Sequence, residues 1–165
     1  EGKAIYTDVD MINMRDMAEL IDLEVPKGKL CLARDGKRFG GKEFCVIVFD
    51  NAKWKKVVPA VETWKEDATA HHQFINMFIA NNLVGDLDPR WNSHDGDTDE
   101  IYQLHYTHMA TQPWQPKWFT GQVQEHPRKD LVEIYEKAYD EAVLEGYKLE
   151  DYEIDRGVKY GIIGK

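Results

Sequence analysis

Positive charge is what this 165-residue chain has least of: 21 Lys and Arg stand against 30 Asp and Glu, leaving a net charge of -9 and a pI near 5.1. That balance excludes a broad nucleic-acid or anionic-membrane surface, which needs clustered cations to displace counterions. Cysteine is nearly absent too. Cys31 and Cys45 each sit inside an apolar, strand-like run with no paired zinc-type spacing, so they are expected to be buried thiols in a reducing cytosol. No apolar run nears the ~18 residues that span a bilayer, and residues 1–15 lack a signal-peptide apolar core, so the chain reads as soluble and cytoplasmic. There are no repeats and no low-complexity segments. At 165 residues, with 42% hydrophobic and 12% aromatic content, the chain is long enough for one ordinary core and too short for two full domains, so a single compact unit is expected. Glu1-Gly2-Lys3 enters a strand without a cap, turn or Met, which points to residues upstream.

The stretch Ala4 to Ile12 is the most informative. It is a β-rich apolar run that ends in Asp8 and Asp10. Strand side chains alternate faces, so these two carboxylates should point the same way and share a divalent cation, with phosphate oxygens as its other ligands. The spacing alone is not specific, because Asp86/Asp88, Asp95/Asp97 and Asp97/Asp99 repeat it.

Along the chain, Asn13 to Asp22 has helical spacing, Lys29 to Arg34 reads as a strand, and Asp35-Gly36 reads as a turn. Phe44 to Phe49 is uniformly apolar and is placed mid-sheet with both faces covered. Helices are expected over Asn51–Trp54, Pro59–Trp64 and His71–Asn82, the last capped by Asp67 or Thr69 and presenting Phe74, Met77 and Phe78 on one side. Val84–Leu87 is a short strand, Asp88-Pro89 a turn, Ser93–Glu100 an acidic mobile loop, and Ile101–Tyr106 the last strand. A loop carries Trp114 and Trp118. The helix Lys129–Glu145 buries Leu131, Ile134, Tyr135, Ala138 and Ala142, Gly146 stops it, and a polar tail follows with weak strand signals near its end. His71 and His94 read as surface residues and His126 as loop, and Trp54, Trp64 and Trp91 as packing aromatics.

Four segments in this order resemble the retaining, metal-dependent glycosyltransferases of the glycogenin and bacterial galactosyltransferase type (glycosyltransferase family 8-like), over roughly residues 3–135. They are Ala4–Asp22 with its Asp-x-Asp motif and Ala18-Glu19-Leu20; Val46–Asp50 with Trp54; His71–Asn76 leading to Pro89-Arg90-Trp91-Asn92; and Leu104-His105-Tyr106-Thr107 with Gln112-Pro113-Trp114. The resemblance implies an α/β fold, a mixed sheet flanked by helices like the A-type nucleotide-diphospho-sugar transferase fold with its N-terminal nucleotide-binding part missing. Residues 1–147 would be the C-terminal portion of the catalytic domain and 148–165 a tail.

The activity it implies is transfer of a hexose from a nucleotide-diphosphate sugar to an acceptor, with retention. Mn²⁺ or Mg²⁺, held by Asp8, Asp10 and His105, would neutralise the leaving diphosphate. Gln73 and His72 fall at the sugar's reacting face, and Gln112, His108 and Glu43 beside the donor. Of these, His108 stands where Gly is common, Gln112 where Lys meets the diphosphate, and His72 where an Asp often sits. A carboxylate nucleophile is therefore not evident, which favours a front-face route. Glu43 replaces the usual Asn and reads either as a contact to sugar hydroxyls or as a solvated loop residue. Expected partners are the donor, an acceptor and a missing N-terminal half that would cover an apolar sheet edge. Two other readings stand beside this one: a non-catalytic binding or assembly protein of the same shape, and a metal-dependent hydrolase built on His71, His72, His105, His108 and the Asp95 loop.

Overall fold

The computed structural model describes residues 2–67, 69–114 and 119–147. The expectations for Trp118 and the tail from 148 lie outside them. The strands are β1 (Lys3–Thr7), β2 (Met11–Asn13), β3 (Cys31–Asp35), β4 (Lys42–Asp50), β5 (Val84–Asp86), β6 (Ser93–His94) and β7 (Gln103–His105). The helices are α1 (Ala18–Asp22), α2 (Asn51–Trp54), α3 (Val61–Glu66), α4 (Ala70–Ala80) and α5 (Lys129–Leu144), with a 3₁₀ turn at Pro89–Asn92. The chain divides into a first unit, residues 1–93 and 98–104, and a second, residues 94–97 and 105–165. The division falls inside β6 and β7.

The first unit is built on a sheet ordered β1-β4-β3-β5. β4 runs antiparallel to both β1 and β3, and β5 is parallel to β3. Three strands, β1, β3 and β5, therefore end at one edge of the sheet. As its uniform apolarity predicts, β4 is central and covered on both faces. Val46 and Val48 join Leu20, Leu32, Leu87 and Trp91 in one cluster, while Ile47 and Phe49 pack against the cluster of Cys31, Ala33, Phe78 and Val84. Strict alternation would send Phe44 to the side of Val46. A register shift between Leu32 and Arg34 interrupts it, and Phe44 joins the second cluster instead.

α4 lays Phe74, Met77 and Phe78 on that second cluster as its spacing predicts. Trp54 stacks on Phe49 and Phe78 at 5.0 and 4.8 Å, and Trp64 meets Phe74 edge-on. At the N-terminus of α2, Asp50 accepts hydrogen bonds from the amides of Ala52 and Lys53, so β4 runs directly into the helix. Asp67 accepts from the amide and hydroxyl of Thr69, which holds the turn before α4.

The helix expected from Asn13 is shorter than its spacing suggests. Met11–Asn13 forms β2, in a small sheet ordered β2-β7-β6, and only Ala18–Asp22 is helical, with Asp16 accepting from the Ala18 amide. The amides of Met14 and Arg15 are taken by the Tyr102 carbonyl at 2.9 and 3.2 Å, and these bonds hold the chain extended past β2. Arg15 and Arg90 each place a guanidinium over the Tyr102 ring, at 4.1 and 4.2 Å from its centre.

In the second unit, Tyr106 is fully buried and donates to the Leu131 carbonyl of α5 at 2.6 Å. Trp114 and Tyr135 pack around its ring. α5 buries Leu131 and Tyr135 and half-buries Ile134, Ala138 and Ala142, matching the stripe read from the sequence. Gly146, at φ 88°, ends it. Among the described residues no helix is long and apolar enough to cross a membrane.

Candidate functional site

Asp8 lies one residue past the end of β1, at the edge where β1, β3 and β5 finish. The strand does not continue through Asp10: Val9 and Asp10 form a bend before β2, and the Val9 side chain is fully solvent-exposed. The alternation argument for Asp8 and Asp10 is thereby corrected. Asp10 follows a bend and does not continue the β1 face that leads to Asp8. The Asp8 amide donates to the Cys45 carbonyl of β4 at 2.9 Å, extending the ladder by one residue and fixing where the carboxylate starts. The Tyr6 hydroxyl donates to Asp8 Oδ1 at 2.7 Å. That hydrogen bond, with partial burial and the Asp8 charge behind it, pushes the Tyr6 phenol up to about 12.

Cys45 Sγ also comes within 4.8 Å of a carboxylate oxygen of Asp8. Burial first, and then the Asp8 charge, push this thiol up to about 12, so at neutral pH it is protonated and inert. Cys31 is raised to about 12 by burial as well. Both cysteines are free thiols, as composition suggested.

Glu43 belongs to β4 and is 6% exposed. Its Oε1 accepts from the amides of Lys37 and Arg38 at 3.0 and 3.3 Å, so the carboxylate staples the β3–β4 connection. The solvated-loop reading of Glu43 is corrected accordingly. A Cβ at Gly36 would fall 2.0 Å from Glu43 Cγ, so only glycine fits there. His72 and Gln73 occupy the exposed first turn of α4. His72 stacks on Phe39 and lies against His71, and Gln73 donates to the Thr69 hydroxyl at 3.2 Å.

His105 ends β7 directly after Leu104 and is buried at 5% exposure. Its carbonyl accepts from the Asp95 amide at 2.9 Å, and its ring meets the edge of His94 at 5.3 Å. Gln112 is fully buried, and its Nε2 donates to the Tyr106 carbonyl at 2.7 Å. His108 is exposed, and its carbonyl accepts from the Thr111 and Gln112 amides in a tight turn.

The Asp95 segment is held in place rather than loose. Asp95 accepts from the Thr107 hydroxyl at 2.5 Å and pairs with His126 Nε2 at 3.3 Å, while His126 Nδ1 accepts from the Arg128 amide at 3.1 Å. His126 lies in the loop before Pro127, as read from the sequence, with its ring buried against Asp95, and both Asp95 oxygens are engaged, which weakens the hydrolase reading.

A further group escaped the sequence reading. Lys42, at the start of β4, bridges Asp35 at the end of β3 and Asp86 at the end of β5, at 2.6 and 2.5 Å. Burial alone would lower the Lys42 pKa, but the two carboxylate partners outweigh it and raise it, and the same bridge holds Asp86 below the usual carboxylate range. The signal was present in the strand ends: each of the three parallel strands finishes on or beside an aspartate.

No family model matches the sequence, and no curated protein matches it. Solved structures do. The crystal structure of the glycosyltransferase GlyE of Streptococcus pneumoniae TIGR4 superposes with a TM-score of 0.55 at 18% identity, over 88% of this chain and 43% of that one. Its apo form gives 0.53 at 17% identity over the same shares. The fold is that of a glycosyltransferase. The mixed α/β architecture with helices flanking the sheet is thereby established, and the chain spans less than half the length of these neighbours.

Proposed function

We propose that this chain forms part of the catalytic domain of a retaining, metal-dependent glycosyltransferase that takes a hexose from a nucleotide-diphosphate sugar. The observation supporting this most directly is the placement of Asp8-Val9-Asp10 just past the carboxyl end of β1, in a fold shared with a glycosyltransferase. Open α/β sheets bind ligands outside the carboxyl ends of their strands.

The donor set fits a divalent cation. Asp8 and Asp10 supply hard oxygens, the Tyr6 hydrogen bond occupies only one of the two Asp8 oxygens, and His105 supplies an imidazole from the last strand. When bound, Mn²⁺ or Mg²⁺ would neutralise charge on the departing diphosphate. The chain's own residues would orient the donor: Gln73 and His72 from α4 beside the sugar, His108 and Gln112 toward the diphosphate. Glu43 acts indirectly by fixing residues 36–41, and with no carboxylate assigned as nucleophile, transfer is assigned to the front face.

The test is Mn²⁺ binding followed by electron paramagnetic resonance, with inorganic pyrophosphate as the phosphate probe. Asp10→Asn should weaken Mn²⁺ binding more than tenfold and abolish donor turnover while leaving the circular dichroism unchanged. Unaltered Mn²⁺ affinity in that variant would refute the assignment.

One observation favours a second reading, that of a non-catalytic protein keeping the transferase shape. Gln112, where a lysine is common, already spends a donor on the Tyr106 carbonyl. Calorimetry with nucleotide sugars and Mn²⁺ separates the two, since the non-catalytic reading expects no heat of binding.

A further inference from the structure

The edge of the sheet that carries Asp8 continues across the first unit. A cleft of about 390 Å³ opens where β3 and β5 end, lined by Lys29, Asp35, Lys42, Asn82 and Asp86 over an apolar floor of Phe78 and Ile79. A neighbouring cleft of about 480 Å³ shares Asp35 and Asp86 and adds Arg34 and Asp88. Both volumes lie in the range of small-molecule sites.

Both lysines of the first cleft are held in place. Lys42 is only 12% exposed and is fixed between its two carboxylates, which are themselves 77% and 84% exposed and so face incoming ligand. Lys29 Nζ is held by the carbonyl and side-chain oxygen of Asn82 at 2.9 and 2.6 Å. Gly85 keeps the wall thin, because a Cβ there would meet Leu32 Cδ2 at 2.8 Å.

The charge balance narrows the ligand. Lys29, Arg34 and Lys42 offset Asp35, Asp86 and Asp88, so the joined clefts are formally neutral. A phosphate would meet exposed carboxylates, and a metal ion would have to displace the Lys42 ammonium from both aspartates. A neutral ligand rich in hydroxyls meets neither obstacle, because each hydroxyl both donates to a carboxylate and accepts from an ammonium. Strand order sets the reach: β3 and β5 lie two and three strands from β1, or roughly 10–14 Å from Asp8 along the edge, about one sugar unit beyond a donor sugar.

We propose that this cleft seats the acceptor, a neutral oligosaccharide, with Asp35 and Asp86 accepting from its hydroxyls and Lys42 holding both carboxylates in position. The acceptor role rests on the transferase reading above; the sugar binding does not.

The test is an amide NMR titration of the 165-residue chain with maltose, lactose and sucrose, and separately with inorganic phosphate, without metal or nucleotide. The Gly40, Gly41, Gly85 and Asp86 amides should shift with at least one disaccharide at dissociation constants of roughly 1–10 mM, and Asp86→Asn should weaken that binding about tenfold while its circular dichroism and amide spectrum remain those of the folded chain. The inference is overturned if no disaccharide moves these amides by ~50 mM, if phosphate moves them at lower concentration than sugar does, or if Asp86→Asn leaves sugar affinity intact. Sugar binding that survives a negative Mn²⁺ result would discard the transferase reading and the acceptor role while keeping the cleft as a carbohydrate site.

Discussion

The first unit buries its sheet between two apolar clusters, whereas the second packs aromatic rings around buried hydrogen bonds. Val46, Val48, Leu32 and Phe78 need only fit their neighbours. Tyr106, Gln112 and His126 need a partner atom as well, and each has one: the Leu131 carbonyl, the Tyr106 carbonyl, and Asp95. Apolar packing degrades gradually as volume is lost, while a polar core loses a whole interaction when one atom is removed. The two units should therefore respond to different kinds of substitution.

The largest effect is expected from Phe78→Ala, which empties a fully buried ring position and should cost the first unit about 3–5 kcal/mol in urea denaturation. Tyr106→Phe keeps the volume and deletes only the bond to Leu131. It should cost the second unit about 1–2 kcal/mol, and a cost below about 0.5 kcal/mol would show that its core is apolar in effect, breaking the contrast. Asp88 accepts from the Arg90 amide at the start of the 3₁₀ turn and chelates the Arg90 guanidinium, so Asp88→Ala should cost about 1 kcal/mol in the same assay.

Acid sharpens the comparison further. Hydrogen bonds hold Asp50, Asp67, Asp86 and Asp88 of the first unit, and Asp130 of the second, below the usual carboxylate range. Their ionised forms favour the fold, so the stability they contribute is present above about pH 4 and is lost as pH falls through the lowered values. Single-tryptophan variants reporting from Trp91 and Trp114 should show the first unit weakening first between about pH 4 and 2. The smallest effect is at Tyr6. Its protonated form is favoured in the fold, so its contribution persists below about pH 10 and fades as pH climbs to about 12. Absorbance titration of tyrosinate in Tyr6→Phe should lack one phenol that ionises near pH 12.

What the sequence disclosed follows the same line. α4 and α5 were legible because burial on one side imposes a period on apolar residues, and β4 because burial on both faces makes it apolar throughout. β2 was missed because three residues carry no period; what makes Met11–Asn13 a strand is pairing in the small sheet and the Gln103 amide donating to Asn13 at 2.9 Å, 90 positions away. The solvated-loop alternative for Glu43 fails for a related reason: a polar residue reads as exposed until the partners that let it be buried are known, here the Lys37 and Arg38 amides. The Asp-x-Asp segment was located correctly from its position after a strand, although the bend at Val9 replaces the alternation first assumed. The strand-end aspartates were readable, but not their bridging by Lys42, because its members come from three strands whose order no local pattern reveals.

The Gly36 and Glu43 pair carries a consequence for how this hairpin can change over generations. Because the two residues compete for the same space, neither position can drift alone: a larger residue at 36 is admissible only after 43 has been shortened. A library randomised at both sites should return almost no combination of a long side chain at 43 with anything but glycine at 36.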